Sequence, residues 1–340
     1  MLLGIFERCT PGLTSAIGLL TATLGAFQET QHILSELGHS LDVKTIRLIA
    51  YRSADRVRLV QQQGYCGFEP NDSLAGRRVV VSTDGGRVRL REKKRGPKTR
   101  KRRNRYHGAW REPKLFIIYV VDAQGQQLQS FAPLIDGVMR GPDTLFALLQ
   151  QYLAQLQIQD ADQLLFVSDG APWIWNRVPT LLDKLRLDRR RVHLLIDFYH
   201  AVQHLHRVAA LRKDWSARKR KQWANKQRTL LRRGQVAQVI DAIRPLCRGR
   251  NSKALKTELA YFVKHQRHMA YDTMTQLHLP IGSGAIESAV RRIVNLRLKG
   301  PTIFWNKSNA EALLLLRSAY KSGRWHLFTS LTFSTFSVLD

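Results

Sequence analysis

VVVSTDGG (79–86) and its near-repeat LLFVSDG (164–170) decide how this chain is read. Each is an apolar run of strand length that leads into serine, aspartate and glycine, so each reads as a buried strand with Asp84 or Asp169 at its exit. Carboxylates are scarce here, with 26 Asp and Glu against 55 Lys and Arg, so two in the same local setting stand out. A third, Glu287, lies in GSGAIESAVRRIVNLRL (282–298), where small residues lead into a helical apolar pattern and place it in the first turn.

Working outward, strands are expected at 77–83, 114–121 and 128–135, a helix at 143–156, a strand at 164–167, a helix at 173–185 and a strand at 192–196. Three strands, helix, strand, helix, strand is the element order of an α/β, ribonuclease-H-like mixed sheet. The expected division is a helical, helix-turn-helix-like DNA-binding region at 1–72, the first part of the catalytic core at 73–200, and a basic all-helical insertion at 201–279. The end of the core carrying Glu287 follows at 280–325, then a tail at 326–340.

The chain has 340 residues, 44% of them hydrophobic, enough for a full core, and a formal net charge of +29. That charge favours a polyanion through counterion release and makes nucleic acid the expected partner. No apolar stretch approaches the roughly 18 residues of a membrane span, and 1–12 is too short an apolar start for a signal peptide. Cys9, Cys66 and Cys247 are dispersed and odd in number, which suits neither a disulfide framework nor a zinc finger and fits a reducing cytoplasm, in association with the nucleoid.

Each acid has an ordinary alternative. Asp-Gly between apolar runs is a hairpin signal, so Asp84 could mark a turn between 79–83 and 88–92. Asp169 is followed by a helix-like segment, which leaves it at a strand's C-terminal end, where α/β sites open. Glu287 could be a first-turn acid favoured by the helix dipole. Together the three suit Mg²⁺ or Mn²⁺, two ions in the arrangement that phosphodiester cleavage uses.

Asp197 and His200, three apart at a strand-to-helix junction, fit support of a carboxylate, a water or the DNA backbone; a buried polar pair comes second. Zinc held by His200 and His204 comes third. DNA contacts are expected from Lys44 and Arg47 on a second N-terminal helix after Gly38, although that pair fits a helical hairpin equally well. The segment 87–111 holds thirteen Lys or Arg and one acid, and reads as a mobile basic loop offering Arg87, Lys93, Lys94, Arg95, Arg102 and Arg103. Between 207 and 233 stand eleven Lys or Arg and one acid, among them Arg218, Lys219 and Arg220, interleaved with Trp215 and Trp223. Trp173 and Trp175 are placed to stack on an unpaired base, or to pack in the core, with Arg177, Arg291 and Arg292 near the acids.

STDGGRVRLRE (82–92), WREPKLFIIYVVD (110–122), VSDGAPWIWNRVP (167–179), IDFYHAVQHL (196–205), IGSGAIESAVRRIVNLRLKGPTIFW (281–305) and NAEALLLLRSAYKSGRW (309–325) together resemble the DDE transposases of bacterial insertion sequences. The likeness is to the Kra-type group and, more distantly, to Mutator-like transposases. It implies that Asp84, Asp169 and Glu287 form the metal-holding triad, and that Asp197 with His200 is the Asp-x-x-His signature of the Mutator-like relatives. It implies metal-dependent cutting at element ends and strand transfer into double-stranded target DNA, by a homo-oligomer on DNA. Members of the group carry a longer N-terminal region, so a truncated or repurposed, catalytically silent DNA-binding protein is the alternative. A structure-selective nuclease on the same fold is a third reading.

Overall fold

The structure, a computed structural model, describes residues 8–249 and 252–334. Three helices open it: α1 (Pro11–Thr23), α2 (Phe27–Glu36) and α3 (Val43–Gln62). Their starts follow from local chemistry. Proline stands at the first position of α1, Glu29 accepts the Gly25 and Ala26 N–H groups ahead of α2, and Asp42 caps α3 by accepting from Thr45 N at 2.8 Å. Gly38 turns the chain between α2 and α3 with φ of +82°, where a side chain would be strained.

Next come β1 (Arg78–Gly85), β2 (Val88–Lys93), β3 (Tyr106–Arg111), β4 (Lys114–Val121) and β5 (Leu134–Val138). Helix α4 (Pro142–Gln155), strand β6 (Gln163–Ser168), helices α5 (Pro172–Trp175) and α6 (Val178–Lys184), and strand β7 (Val192–Ile196) complete the sheet region. The main sheet has the order β5-β4-β1-β6-β7; β4 runs antiparallel to β1 and β5, and β6 runs parallel to β1 and β7. All eight residues of β4 are buried, which requires cover on both faces. The chain is therefore a mixed α/β protein with a five-stranded mixed sheet.

After β7 the chain leaves the sheet through α7 (Phe198–Leu211), α8 (Ala217–Arg232), α9 (Val236–Ile243), α10 (Ser252–His265) and α11 (Tyr271–Gln276). It returns in α12 (Gly284–Val290), which packs on β1 and β4, and ends with α13 (Lys307–Lys321) and α14 (Trp325–Phe333).

Three expectations change. The third sheet strand runs Leu134–Val138, later than 128–135, because Pro133 has no N–H for the ladder and Leu128 instead ties its loop to Val120 O at 2.9 Å. The two ends of the segment 87–111 pair as the ribbon β2–β3, and only 94–105 between them lack strand or helix. Its arginines lie over rings, Arg89 over Trp110 at 4.9 Å and Arg91 over Tyr106 at 4.8 Å, which relieves the charge crowding that suggested a loop. Residues 326–333, expected in the tail, form with Trp325 the helix α14 against α1, α3 and α13; residues 335–340 of that tail lie outside the described residues.

The N-terminal helices share the core of the sheet. Helices α1 and α3 pack on α13, and the buried Arg58 of α3 reaches Asp136 of β5 with two bonds of 3.0 and 3.1 Å. Among the described residues no helix is long and apolar enough to cross a membrane.

Candidate active site

Parallel pairing of β1 with β6 sets Val81 opposite Phe166; three residues further on lie Asp84, near the end of β1, and Asp169, just past the end of β6, close enough for the charge of Asp169 to act on Asp84. The strand ends are fastened there: Thr83 N donates to Ser168 Oγ at 3.0 Å. Asp84 does not sit in a β1–β2 hairpin, since β1 pairs with β4 and β6 whereas β2 pairs with β3. Asp169 accepts from Ala171 N at 3.0 Å, and its carbonyl accepts from Trp175 Nε1.

Glu287 is exposed in the first turn of α12. What places that helix is Asp197, which is 1% exposed and caps α7 by accepting from His200 N at 2.6 Å. Its other oxygen accepts from Ser283 N and from Ser283 Oγ at 2.6 Å, just ahead of α12. Asp197 N itself donates to Ser168 O at 2.9 Å, so one residue joins the ends of β6 and β7 to the start of α12. His200 meets Asp197 through its backbone; its ring packs against His204 and Tyr261. The His204 imidazole pairs with Glu258 at 2.6 Å.

Asp84 feels the other two acids. Burial pushes the Asp84 carboxyl up to about 7, partly offset by its bond from Gly85 N, and the charges of Asp169, Glu287 and then Glu112 push it further. As placed, no three His, Cys, Asp or Glu among the described residues are grouped to enclose a metal ion. The donor set itself, carboxylate oxygens with an excess of negative charge in a chain of +29, fits a hard divalent cation.

Two contributors were not visible in the sequence. Tyr261 of α10 covers Gly170 so closely that a Cβ there would lie 2.5 Å from its ring, and its buried hydroxyl has no hydrogen-bond partner. Burial raises that hydroxyl's pKa, and the nearby Asp169 and Asp197 add to the rise. Lys114, 7% exposed, pairs with Glu112 at 3.1 Å and lies 4.0 Å over the Trp173 ring.

Several expected DNA contacts have other occupations. Trp175 is 9% exposed and stacks on His268, so it is a packing residue; Trp173 is half-buried. Arg177 is held by Asp143 at 2.7 Å and by the Trp173 carbonyl at 3.0 Å. Arg220 donates to Trp215 O and Lys219 lies over the Trp215 ring, while Arg218 is exposed. Lys44, Arg47, Arg87, Lys93, Lys94, Arg95, Arg102, Arg103 and Arg291 are exposed, and Arg292 is half-buried with a bond to Ser288 O.

No protein-family model matches the chain, and no curated protein does. Among solved structures it is similar to the Drosophila P element transposase strand transfer complex, with 12% identity over 94% of this chain and 81% of that one and a TM-score of 0.31.

Proposed function

We propose that this protein is a DDE-type DNA transposase of an insertion sequence, cutting phosphodiester bonds at element ends and transferring strands to target DNA. The observation that carries the reading is that Asp84 and Asp169 stand at the exits of two neighbouring parallel strands, where the charges of Asp169 and Glu287 both act on Asp84, with the helix of Glu287 fastened through Asp197 and Ser283. The strand order and directions, three antiparallel strands then two parallel ones, are those expected of a ribonuclease-H-like core.

Asp84, Asp169 and Glu287 would hold Mg²⁺ or Mn²⁺, two ions in this reading, which supplies activation of water or a 3′ hydroxyl and neutralisation of the leaving oxygen. The rest falls to the chain. Asp197 sets the position of Glu287. Tyr261 covers Gly170 and so walls the site beside Asp169. The cationic ribbon next to Asp84 holds the duplex backbone. Double-stranded DNA is the partner, and bridging two ends calls for a homo-oligomer, in the cytoplasm at the nucleoid.

The test is a cleavage and joining assay on DNA bearing the ends of the encoding element, with Mg²⁺, Mn²⁺ or chelator. Asp169→Asn and Glu287→Gln should abolish nicking while keeping DNA affinity. Metal-dependent nicking that survives in both variants refutes the site. Salt-sensitive binding without nicking in the unaltered protein leaves the catalytically silent DNA-binding protein, and nicking without joined product leaves the nuclease.

A further inference from the structure

A cavity of about 450 Å³ lies where α2 and α3 face the ribbon and the segment between α12 and α13. Three guanidinium groups, Arg47, Arg91 and Arg297, and the rings of Phe27, Tyr51 and Phe304 line it, and no carboxylate does. Arg297 is only 6% exposed, and its Nε has no hydrogen-bond partner. Arg317, equally deep at 4% exposed, donates to the carbonyls of Ala22, Arg292 and Ile293 instead. Arg297 has the Trp305 ring 5.5 Å away and the weaker influence of Tyr51 and Glu29, and burial outweighs them. The nearest acid, Glu29, is outside the cavity and engaged by Gly25 N and Ala26 N. A buried cation left this way lowers the stability of the empty protein, and an anion entering the cavity would reverse that cost.

We infer that this cavity receives one unpaired nucleotide of a DNA strand, its base between the aromatic side chains and its phosphate on Arg297. The inference rests on the DNA-binding part of the reading above and not on catalysis. A duplex presents its phosphates on a convex surface and cannot reach an arginine this deep; a nucleotide swung out of the stack can. The amides of Asn306 and Asn309 on the cavity wall are donors and acceptors for a base edge. Arg297 follows Glu287 by ten residues, through the end of α12, a π-helical turn and a tight turn, a span on the order of 10–15 Å at most for helical chain, or about three to four steps of B-form strand. The cavity is therefore in reach of the strand whose phosphate lies at the acids.

The test compares a 20-base-pair blunt duplex with the same duplex carrying a four-nucleotide 3′ extension, in chelator so that nothing is cut, by fluorescence anisotropy. A 2-aminopurine walked through the extension reports which base is stacked. The extended DNA should bind about tenfold tighter, the effect of one stacked base. Arg297→Met should erase the preference, leave blunt-duplex affinity unchanged and melt no lower than the unaltered protein. Asn309→Leu, which fills the cavity from another wall, should erase it too. Equal binding of both DNAs by the unaltered protein, or a preference that survives both variants, overturns the inference while DNA binding stands. Binding of neither DNA refutes the DNA-binding reading itself. Displacement of the extended DNA by micromolar dAMP also overturns it, assigning the cavity to a free nucleotide.

Discussion

Replacing Asp136 with alanine isolates a buried cation and tests whether the N-terminal helices and the sheet are one cooperative unit. Asp136 is 1% exposed and accepts two bonds from Arg58, one at 2.8 Å from Tyr152 of α4, and a longer one from Gln61. Arg58 is 9% exposed and would keep only Gln61 Oε1 and Gly137 O. Removing one partner of such a pair costs about 3–5 kcal/mol, mostly the penalty of the stranded charge. At about 2.1 cal/mol/K per residue the whole chain has an unfolding entropy near 0.7 kcal/mol/K, so the expected fall in Tm is about 6 °C. The assay is calorimetry alongside circular dichroism and tryptophan fluorescence, with Arg58→Met/Asp136→Leu as the companion. The double variant should melt well above Asp136→Ala, because it removes both charges and fills the space. A loss under about 1 kcal/mol, or an early separate transition of helical signal in the unaltered protein, refutes the coupling.

Gly170→Ala should destabilise by about 1–3 kcal/mol and depress nicking, since its Cβ meets the Tyr261 ring at 2.5 Å; in a Tyr261→Ala background the same substitution should cost much less. An equal cost in both backgrounds contradicts that contact. Cys66 is 2% exposed and its thiol is pushed up to about 12, first by burial and then by Asp136, so at pH 8 iodoacetamide should label the half-exposed Cys247 well before Cys66. Because the folded pKa is the raised one, Cys66 contributes stability that is complete below its unfolded value near ~8.5 and fades towards pH 12, visible as a melt that falls in alkali and less so in Cys66→Ala. Replacing 95–103 with Asn-Gly removes six exposed cations and should make the slope of log K against log salt shallower by about 2 to 5, with Tm unchanged. An unaltered slope would show that the ribbon's tip does not touch phosphate.

Legibility followed how local the determining physics is. β4 and β6 announced themselves through LFIIYVV and LLFV, unbroken apolar runs of strand length bounded by turn residues. The ribbon did not, because thirteen cations in one segment read as repulsion until the pairing sets Arg89 beside Trp110. The aspartates at the strand exits were visible as types in a setting, whereas the parallel pairing of β1 with β6 that makes them neighbours depends on the whole sheet. Asp197 stood out beside His200, but its tie to Ser283 spans the helical insertion and leaves no local trace. Arg297 sits in NLRLK, where nothing distinguishes it from a solvated cation. Tyr261 is a tyrosine in an amphipathic helix like many others.

The bonds from Ser283 to Asp197 and from Phe198 N to Ile281 O, the latter 2.9 Å, close the neck of the helical insertion. A loop tied off at its base transmits little of its own length to what lies below. Doubling such a loop adds only about 0.6 kcal/mol of closure cost, so helices can be added to or trimmed from its far end while Glu287 stays beside the strands. The insertion's outer surface is free to change, while the residues that reach back to the sheet, Tyr261 over Gly170, His268 on Trp175 and Tyr271 against Phe198, have to stay in register.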